Sequence, residues 1–501
     1  MFKNILVSVS NKTGIVDFLR PLVEAGARVV STGGTYTLLK GSGLRVTPIE
    51  EHTGFPEVMD GRVRTLHPKV HMALLARKSH TEDQILLKEN QLELFDLVIC
   101  NLYPFESGIE KKVDEAQQVE LIDIGGPTLL RAASKNFESV AVVCDPSDYA
   151  WLTEKSYSLN IADRRYLAAK VFQHTAQYDA TIAKYFLPTQ ETLPLREHRV
   201  LRYGENPHQE AVWMTAHESG WQQSKILQGK ELSYNNLLDL ESALRAIEVF
   251  STPAACVVKH NSPCGFGRDA SSGIAALKKA LEADPVSRFG GIVSANFELT
   301  TEMTEFLSSI FLECIVVPSI TEEAIELLRK KSQLRVLVFP KEAWAIPRYE
   351  YRSIRGGILR QTFDQVSLDT SDWKYYGKKP DAKVLEDLTF SWNLVAQLKS
   401  NAISIVHHGQ SLGLGMGQVN RVDAVEHAIT RAEKVHGKAA AEWVLASDGF
   451  FPFVDSVERI AQAGVRWVIQ PGGSKRDDEV LKRCEELGIS MVLTGKRHFR
   501  H

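Results

Sequence analysis

No apolar run in this sequence approaches the roughly 20 residues that a helix needs to cross a bilayer, and no membrane association is expected. Neither sign of charge dominates. Lys and Arg number 59 against 62 Asp and Glu, and the resulting net charge of -3 supplies no general drive toward nucleic acid or an anionic surface. Any anion the protein binds must therefore be held by local groups. Cysteine is scarce: the six residues Cys100, Cys144, Cys256, Cys264, Cys314 and Cys484 include no C-x-x-C pair. Reduced, buried thiols in a cytoplasmic protein are expected. Cys264 after Pro263 could be half of a zinc-deaminase signature, but the partner Cys at the third following position is missing, so no metal site is expected. The first ten residues carry one short apolar stretch that runs into Asn11-Lys12-Thr13, unlike the longer apolar region of a signal peptide. Short-period repeats and low-complexity tracts are also missing.

What is present is enough apolar content, 44% of 501 residues, for two or three α/β domains. Strands are expected at residues 3–10, 27–32, 44–49, 97–102 and 139–145. Between the first two, Ile15, Phe18, Leu19, Leu22 and Val23 recur as the apolar stripe of a helix. This pattern predicts a parallel-sheet domain. A helix with Leu167, Val171, Tyr178, Ile182 and Phe186 on one face precedes a linker from Pro188 to Pro194, which places a domain boundary near 190–200. The second part opens around Arg202-Tyr203-Gly204-Glu205-Asn206-Pro207. It carries a helix with Leu240, Leu244 and Ile247 and strands at 255–258, 314–317, 403–406, 466–470 and 490–494.

The most informative junction is Lys259-His260-Asn261-Ser262-Pro263-Cys264-Gly265, reached from the strand Ala255-Cys256-Val257-Val258. Residues at the carboxyl end of a strand in an open α/β sheet face the ligand crevice. Pro263 and Gly265 are expected to hold the loop open. The Lys charge disfavours an imidazolium beside it, leaving a neutral His able to accept a proton. A surface Lys and a hydrogen-bonded His at a strand end is the plainer alternative.

In the first part, Ser8-Val9-Ser10-Asn11-Lys12-Thr13-Gly14 and Ser31-Thr32-Gly33-Gly34-Thr35 are strand-to-helix turns of the kind that bind phosphate, without Walker spacing. A nucleoside monophosphate suits them better than a triphosphate. Arg62 and Arg64 fall on one side of an extended segment and could flank a carboxamide or phosphate. Asn101-Leu102-Tyr103-Pro104 ends a strand, and Asp123-Ile124-Gly125-Gly126-Pro127 opens a helix that ends in Lys135. In the second part, Ser400-Asn401-Ala402 precedes a strand and Gly413-Leu414-Gly415-Met416-Gly417 follows it, lacking the last Gly of a dinucleotide fingerprint. The loop from Ser447 to Asp455 carries Phe450, Phe451 and Phe453 between acids, which suits either a flat heterocycle or core packing. Ser474 and Asp477 stand at capping-box spacing, and Arg497 near the end could reach a phosphate.

Together these motifs resemble the bifunctional purine-biosynthesis family of AICAR transformylase/IMP cyclohydrolase. The likeness runs through SVSNKTG, STGGT, TGFPEVMDGRVRTLHPKVH, NLYPF, IDIGGPTLLRAASKN, LRYGENPHQ, GKELSYNNLLDL, KHNSPCG, DPVSRFGGIV, SNAI, FFPF, QPGGS and KRHFRH. It implies a methylglyoxal-synthase-like cyclohydrolase domain over residues 1–195 and a transformylase with cytidine-deaminase-like subdomains over residues 196–501. It further implies a homodimer, AICAR, formyl-AICAR, IMP and folate as ligands, 10-formyltetrahydrofolate as the formyl donor, and no catalytic metal.

By the same resemblance His260 would be the base, assisted by Lys259, and Asn401 would hold the formyl group. Arg202, Tyr203, Asn236, Arg421 and Arg497 would bind AICAR, while Phe450, Pro452 and Asp455 would border the folate. Ser10, Lys12, Thr13, Gly33, Gly34, Thr35 and Arg62 would hold the cyclohydrolase substrate, and Arg64, Tyr103, Asp123 and Lys135 would surround the ring closure. Arg64 stands where the family usually has Lys, and a guanidinium does not trade a proton. A weakened cyclohydrolase and a non-catalytic nucleotide- and folate-binding protein are the alternative expectations. His407-His408-Gly409 also departs from the usual family residues.

Overall fold

The computed structural model describes residues 1–187, 195–215, 220–438 and 442–501. The expected linker from Pro188 to Pro194 lies outside the described residues. Two compact units divide the chain, Met1–Arg196 and Glu197–His501.

The first unit is built on five parallel strands, β1 (Asn4–Val9), β2 (Arg28–Ser31), β3 (Thr47–Pro48), β4 (Leu97–Asn101) and β5 (Ala141–Val143), ordered β3-β2-β1-β4-β5. The strands are short and nearly continuous in apolar residues, as suits a sheet covered on both faces. The helix Ile15–Glu24 buries the five residues of its sequence stripe. Strand order reverses between β1 and β4. That is the position at which open α/β sheets form their ligand crevice. The helix Ile161–Phe186 starts earlier than its apolar pattern suggests, because Asn160 and Asp163 form a capping box. Phe186, expected on the apolar face, is 53% exposed.

The second unit contains a mixed sheet of twelve strands that repeats one order of elements twice. The first copy runs from helix Tyr234–Ile247 through the hairpin Ala254–Lys259 and Ser262–Arg268 to helix Gly273–Glu282, then to parallel strands Gly291–Ala295, Leu312–Val317 and Arg335–Val338. The second runs from helix Ala382–Ala396 through the hairpin Ile403–His407 and Gln410–Gly415 to helix Arg421–His436, then to parallel strands Val444–Ser447, Trp467–Gln470 and Ser490–Leu493. In both copies the first hairpin strand pairs antiparallel with the strand that follows the helix. The copies meet in the middle of the sheet, where Gly267 pairs with Gln410.

Through the first four elements of each copy, equivalent residues stand at a constant spacing of 148 positions, as Asp239 to Asp387, His260 to His408 and Gly265 to Gly413 show. Close packing explains the repeated glycines. A Cβ on Gly265 or Gly267 would collide with the carbonyl oxygens of Ala280 and Ala276, and one on Gly413 or Gly415 with those of Ala428 and Ala424. The Gly413-Leu414-Gly415 run follows the strand Ile403–His407, as expected, and itself lies within the next strand, Gln410–Gly415. Its glycines let a helix backbone approach the sheet.

Candidate active sites

In the first unit, the ends of β1 and β4 meet where Val9 pairs with Asn101. Asn101 Oδ1 accepts the Ser10 and Asn11 amides at 2.7 and 2.8 Å, and Asn11 Oδ1 accepts the Thr13 amide at 3.0 Å. These amides are therefore not the open anion cradle expected of the first turn. Thr35 is likewise engaged, its buried hydroxyl tied to the Val9 amide and carbonyl. The second turn keeps its cradle: Gly33 and Gly34 open the helix Gly33–Gly41, and the leading amides of a helix have no acceptor within it. Lys12 lies along Gly34, and the Arg64 guanidinium lies directly over Gly33.

Arg64 is paired with Glu57, whereas Arg62 is paired with Glu120. The two arginines do not share a side of an extended segment, because the chain turns at Met59–Gly61 and bends around a Val58 to Val63 bridge. Next to this cluster, Thr65 Oγ1 faces Gly125, and Asp123 Oδ1 accepts the Gly126 amide at 2.7 Å. Burial raises the Asp123 pKa against the opposing pull of the Gly126 and Tyr103 amides. Tyr178 anchors the segment by accepting the Asp123 amide and donating to the Leu121 carbonyl. Lys135 is not part of this cluster. It sits exposed at the other end of helix Gly125–Lys135, about 15 Å along the axis at 1.5 Å per residue.

In the second unit, Lys259 and His260 do not end a strand at an open loop. Lys259 pairs with Ser262, and His260 and Asn261, at φ 54° and 57°, form a two-residue hairpin turn. The register set by Gly267 and Gln410 would next pair Gly265 with Leu412 and Pro263 with Leu414, but those pairs do not form. Pro263 has no amide to offer the ladder, and the hairpin shifts register between Pro263 and Gly265. Pro263 thus interrupts a seam between strands and does not prop open a loop.

A cavity of about 320 Å³ occupies the unpaired part of the seam, lined by Lys259, His260, Cys264, Asp284, Leu412, Met416, His427 and Arg431. Arg431 is paired with Asp284, and Lys259 Nζ donates to the Phe289 carbonyl at 2.9 Å. Burial pushes the Cys264 thiol up to about 12, which keeps it protonated and unreactive.

Asn401 is fastened just behind this wall. Its Nδ2 donates to the Gln418 carbonyl at 2.9 Å, and Gln418 Nε2 in turn donates to the Met416 carbonyl at 3.1 Å. One Asn401 N–H remains for another acceptor. Beneath the loop, the fully buried Asp448 carboxylate accepts the Ala402 amide at 3.0 Å, the Ser400 hydroxyl and the Arg421 guanidinium. Arg421 also donates to the Ala402 carbonyl and is itself buried. It works as a pillar of the Asn401 loop.

A second cavity, of about 1130 Å³, gathers Arg202, Tyr203 and Asn236. Lys230, Lys330, Lys331 and Arg335 outnumber Glu231 and Glu313 on its walls, which favours a phosphorylated ligand. Arg497 and Phe450 are exposed elsewhere, Arg497 over the Phe499 ring. The aromatic loop divides its residues between both expected uses. Phe451 is core, Phe450 and Phe453 face outward, and Asp455 opens the helix Asp455–Gln462 with its carboxylate on the Ser456 amide. Ser474 does not cap the helix Asp477–Glu486, since Asp477 instead accepts the Gly473 amide. Among the described residues no group of three or more His, Cys, Asp or Glu side chains is arranged to hold a metal, and no helix is long and apolar enough to cross a membrane.

Asp239, Asp284, Gln418 and His427 are neighbours of these sites that the sequence does not single out, whereas Asn101 and Asp448 stand in expected loops with partners the sequence does not reveal. For Asp239 the signal is its third-residue spacing from Asn236 on one helix face.

Comparison with known proteins places these sites in context. The sequence pattern of the AICARFT/IMPCHase bienzyme matches residues 133–431, and that of the MGS-like domain matches residues 14–128. A bifunctional purine biosynthesis protein PurH from Acetivibrio thermocellus is 44% identical over 519 residues, covering 100% of both chains. The protein of the same name from Nostoc punctiforme is 46% identical over 515 residues, covering 99% of each. That from Bacillus subtilis is 44% identical over 515 residues, covering 100% of this chain and 99% of the relative.

Proposed function

The chain belongs to the AICARFT/IMPCHase bienzyme family, and from that premise we propose how its two units divide the work. It is a bifunctional enzyme of purine biosynthesis, an AICAR transformylase and IMP cyclohydrolase that takes its formyl group from a folate-type donor. Residues 197–501 carry formyl transfer from 10-formyltetrahydrofolate. His260 takes a proton from the AICAR amine as its nitrogen attacks the formyl carbon, and the free N–H of Asn401 donates to the formyl oxygen as charge develops there. The folate nitrogen leaves and takes up a proton, which balances the step. Arg202, Tyr203 and Asn236 hold the phosphorylated substrate, with Lys259 adding charge beside the base.

Residues 1–196 carry ring closure. Gly33, Gly34 and Lys12 hold the phosphate, and Arg64 stabilises charge without exchanging a proton. Asp123 and Tyr103 border the carboxamide nitrogen that attacks the formyl carbon, with loss of water. Both reacting groups belong to one molecule, so holding them in line supplies much of the acceleration. The protein is proposed to work in the cytoplasm as a homodimer.

The observation that carries the transformylase assignment is the seam cavity, whose lining brings Lys259, His260 and His427 together, with Asn401 linked through Gln418 to the lining residue Met416. The test supplies pure protein with AICAR and 10-formyltetrahydrofolate and follows formyl-AICAR and IMP separately. His260→Ala is expected to abolish formyl transfer yet close supplied formyl-AICAR, and Asp123→Ala to do the reverse. Loss of both activities from either folded variant would overturn the division. Formyl-AICAR that accumulates without IMP would mean that Arg64 has cost the first unit its activity.

A further inference from the structure

The His260 turn and its copy in the second half of the sheet are held in the same way. His408 and Gly409, at φ 50° and 69°, form the two-residue turn between His407 and Gln410. The Asp387 carboxylate accepts both their amides, at 2.7 and 2.8 Å. At the equivalent place Asp239 Oδ1 accepts the Asn261 amide, and the His260 amide draws on the same carboxylate. Residues other than Gly resist positive φ, so a turn of this kind with His and Asn in it needs something to hold it.

The two turns differ in one further respect. In the first, Ser242 donates to Asn261 Oδ1 and receives a hydrogen bond from Arg500 at 3.0 Å. In the second, Phe390 and Gly409 occupy the corresponding positions, and neither side chain can make that tie. Asn236, Asp239 and Ser242 recur every third residue along helix Tyr234–Ile247. This one face runs from the wall of the larger cavity, where Asn236 lies, to the His260 turn.

We propose that Asp239 is a positioning residue for formyl transfer: by clamping the backbone of the His260-Asn261 turn it fixes the direction of the His260 side chain relative to the bound amine. The inference rests on the reading of His260 as the base. Asp387 is its internal control, because it makes the same clamp on a turn to which no chemistry is assigned.

The test measures formyl transfer and the melting temperature for the full chain and four variants. Asp239→Ala is expected to lower kcat about 10²-fold, the loss typical of a reacting group displaced by about 1 Å, with KM for AICAR within threefold of the parent. Asp387→Ala is expected to lower the melting temperature comparably and to leave kcat within twofold. Asp239→Asn keeps an acceptor oxygen for the Asn261 amide and is expected to recover most of kcat. It also provides the reading should the Ala variant fail to fold.

Equal kcat losses for Asp239→Ala and Asp387→Ala, or a loss for Asp239→Asn as deep as for Ala, would overturn the positioning role. So would a near-parental Asp239→Ala. His260→Ala separates the two levels of argument, since full activity there removes the base assignment itself, whereas an inactive His260→Ala beside an active Asp239→Ala removes only the clamp.

Discussion

Replacing Asp448 with Ala should cost the second unit more stability than almost any other single polar change. The carboxylate is 0% exposed, and the Arg421 side chain paired with it is 6% exposed. Removing one partner of such a pair leaves the other buried without a counter-charge, at a cost of about 3–5 kcal/mol. The Ala402 amide and the Ser400 hydroxyl lose their acceptor in the same substitution, at about 1 kcal/mol each. These costs share one site and do not add in full, so about 4 kcal/mol is the working figure. For a unit of this size that is a fall of about 6 °C in melting temperature. Differential scanning calorimetry of Asp448→Ala checks it directly. The double variant Arg421→Met, Asp448→Leu removes both charges and should recover all but about 2 kcal/mol, the two orphaned donors remaining. The exposed Arg483 and Glu486 pair provides the contrast, and Glu486→Ala should stay within about 0.5 kcal/mol of the parent. A shift below about 2 °C for Asp448→Ala, or a double variant worse than the single one, would refute the reasoning.

Gly267→Ala and Gly415→Ala should destabilise alike, by about 3 kcal/mol each in urea melts, because the new methyl meets a helix carbonyl that cannot move alone. Gly41→Ala, with open space around it, should be neutral or slightly stabilising in the same assay. Burial, reinforced by Glu241 and opposed by Arg245, raises Glu248 from 4.5 to about 7. Between those values the folded protein holds a proton that the unfolded chain has released, so the stability this group contributes is full below pH 4.5 and is lost as pH rises through 7. Glu248→Gln should gain on the parent across that window by up to about 1.4 kcal/mol per pH unit, and a difference that stays flat in urea melts from pH 5 to 7 would count against it. Arg64→Ala should slow closure of supplied formyl-AICAR about 10²-fold while formyl transfer is unchanged, and equal loss of both in steady-state assays would remove Arg64 from the first site.

Local order was legible in the sequence wherever one element decides it. The apolar stripe of Ile15–Glu24 and the strand ends at Val9 and Asn101 needed only periodicity and flanking turn residues. Gly33 and Gly34 were readable for the same reason. What the turn at Ser10 does was not, because the acceptor that takes its amide is Asn101, on a strand that enters the sheet from the other side of the reversal. Arg421 is expected to bind AICAR only through the family resemblance, and nothing in the sequence near it announces the buried carboxylate it meets. Its partner Asp448 belongs to a different strand-end loop.

The duplication was written in the sequence as Gly-x-Gly followed by Ala-x-x-x-Ala, in two copies 148 positions apart. Neither copy reads as a repeat by itself, because one Gly-x-Gly resembles part of a nucleotide motif and the other lies beside the more conspicuous Lys-His pair. The seam cavity has no sequence signature beyond Pro263, whose missing amide reads equally well as a loop breaker. It exists only because strands distant in the chain fail to finish pairing.

That half-closed seam behaves as a zipper with its slider fixed in mid-track. Toward Gly267 the halves are stitched, with the Phe266 amide on Ser411 Oγ and the Arg268 amide on the Gly409 carbonyl. Toward Ser262 they part. In hydrogen–deuterium exchange the seam should therefore read as a gradient, slow at Phe266 and Arg268 and faster along residues 412–414, which line the gap. Moving the slider one pair in either direction would shrink the cavity or loosen the joint, so the length of chain left unstitched is itself a dimension of the proposed site.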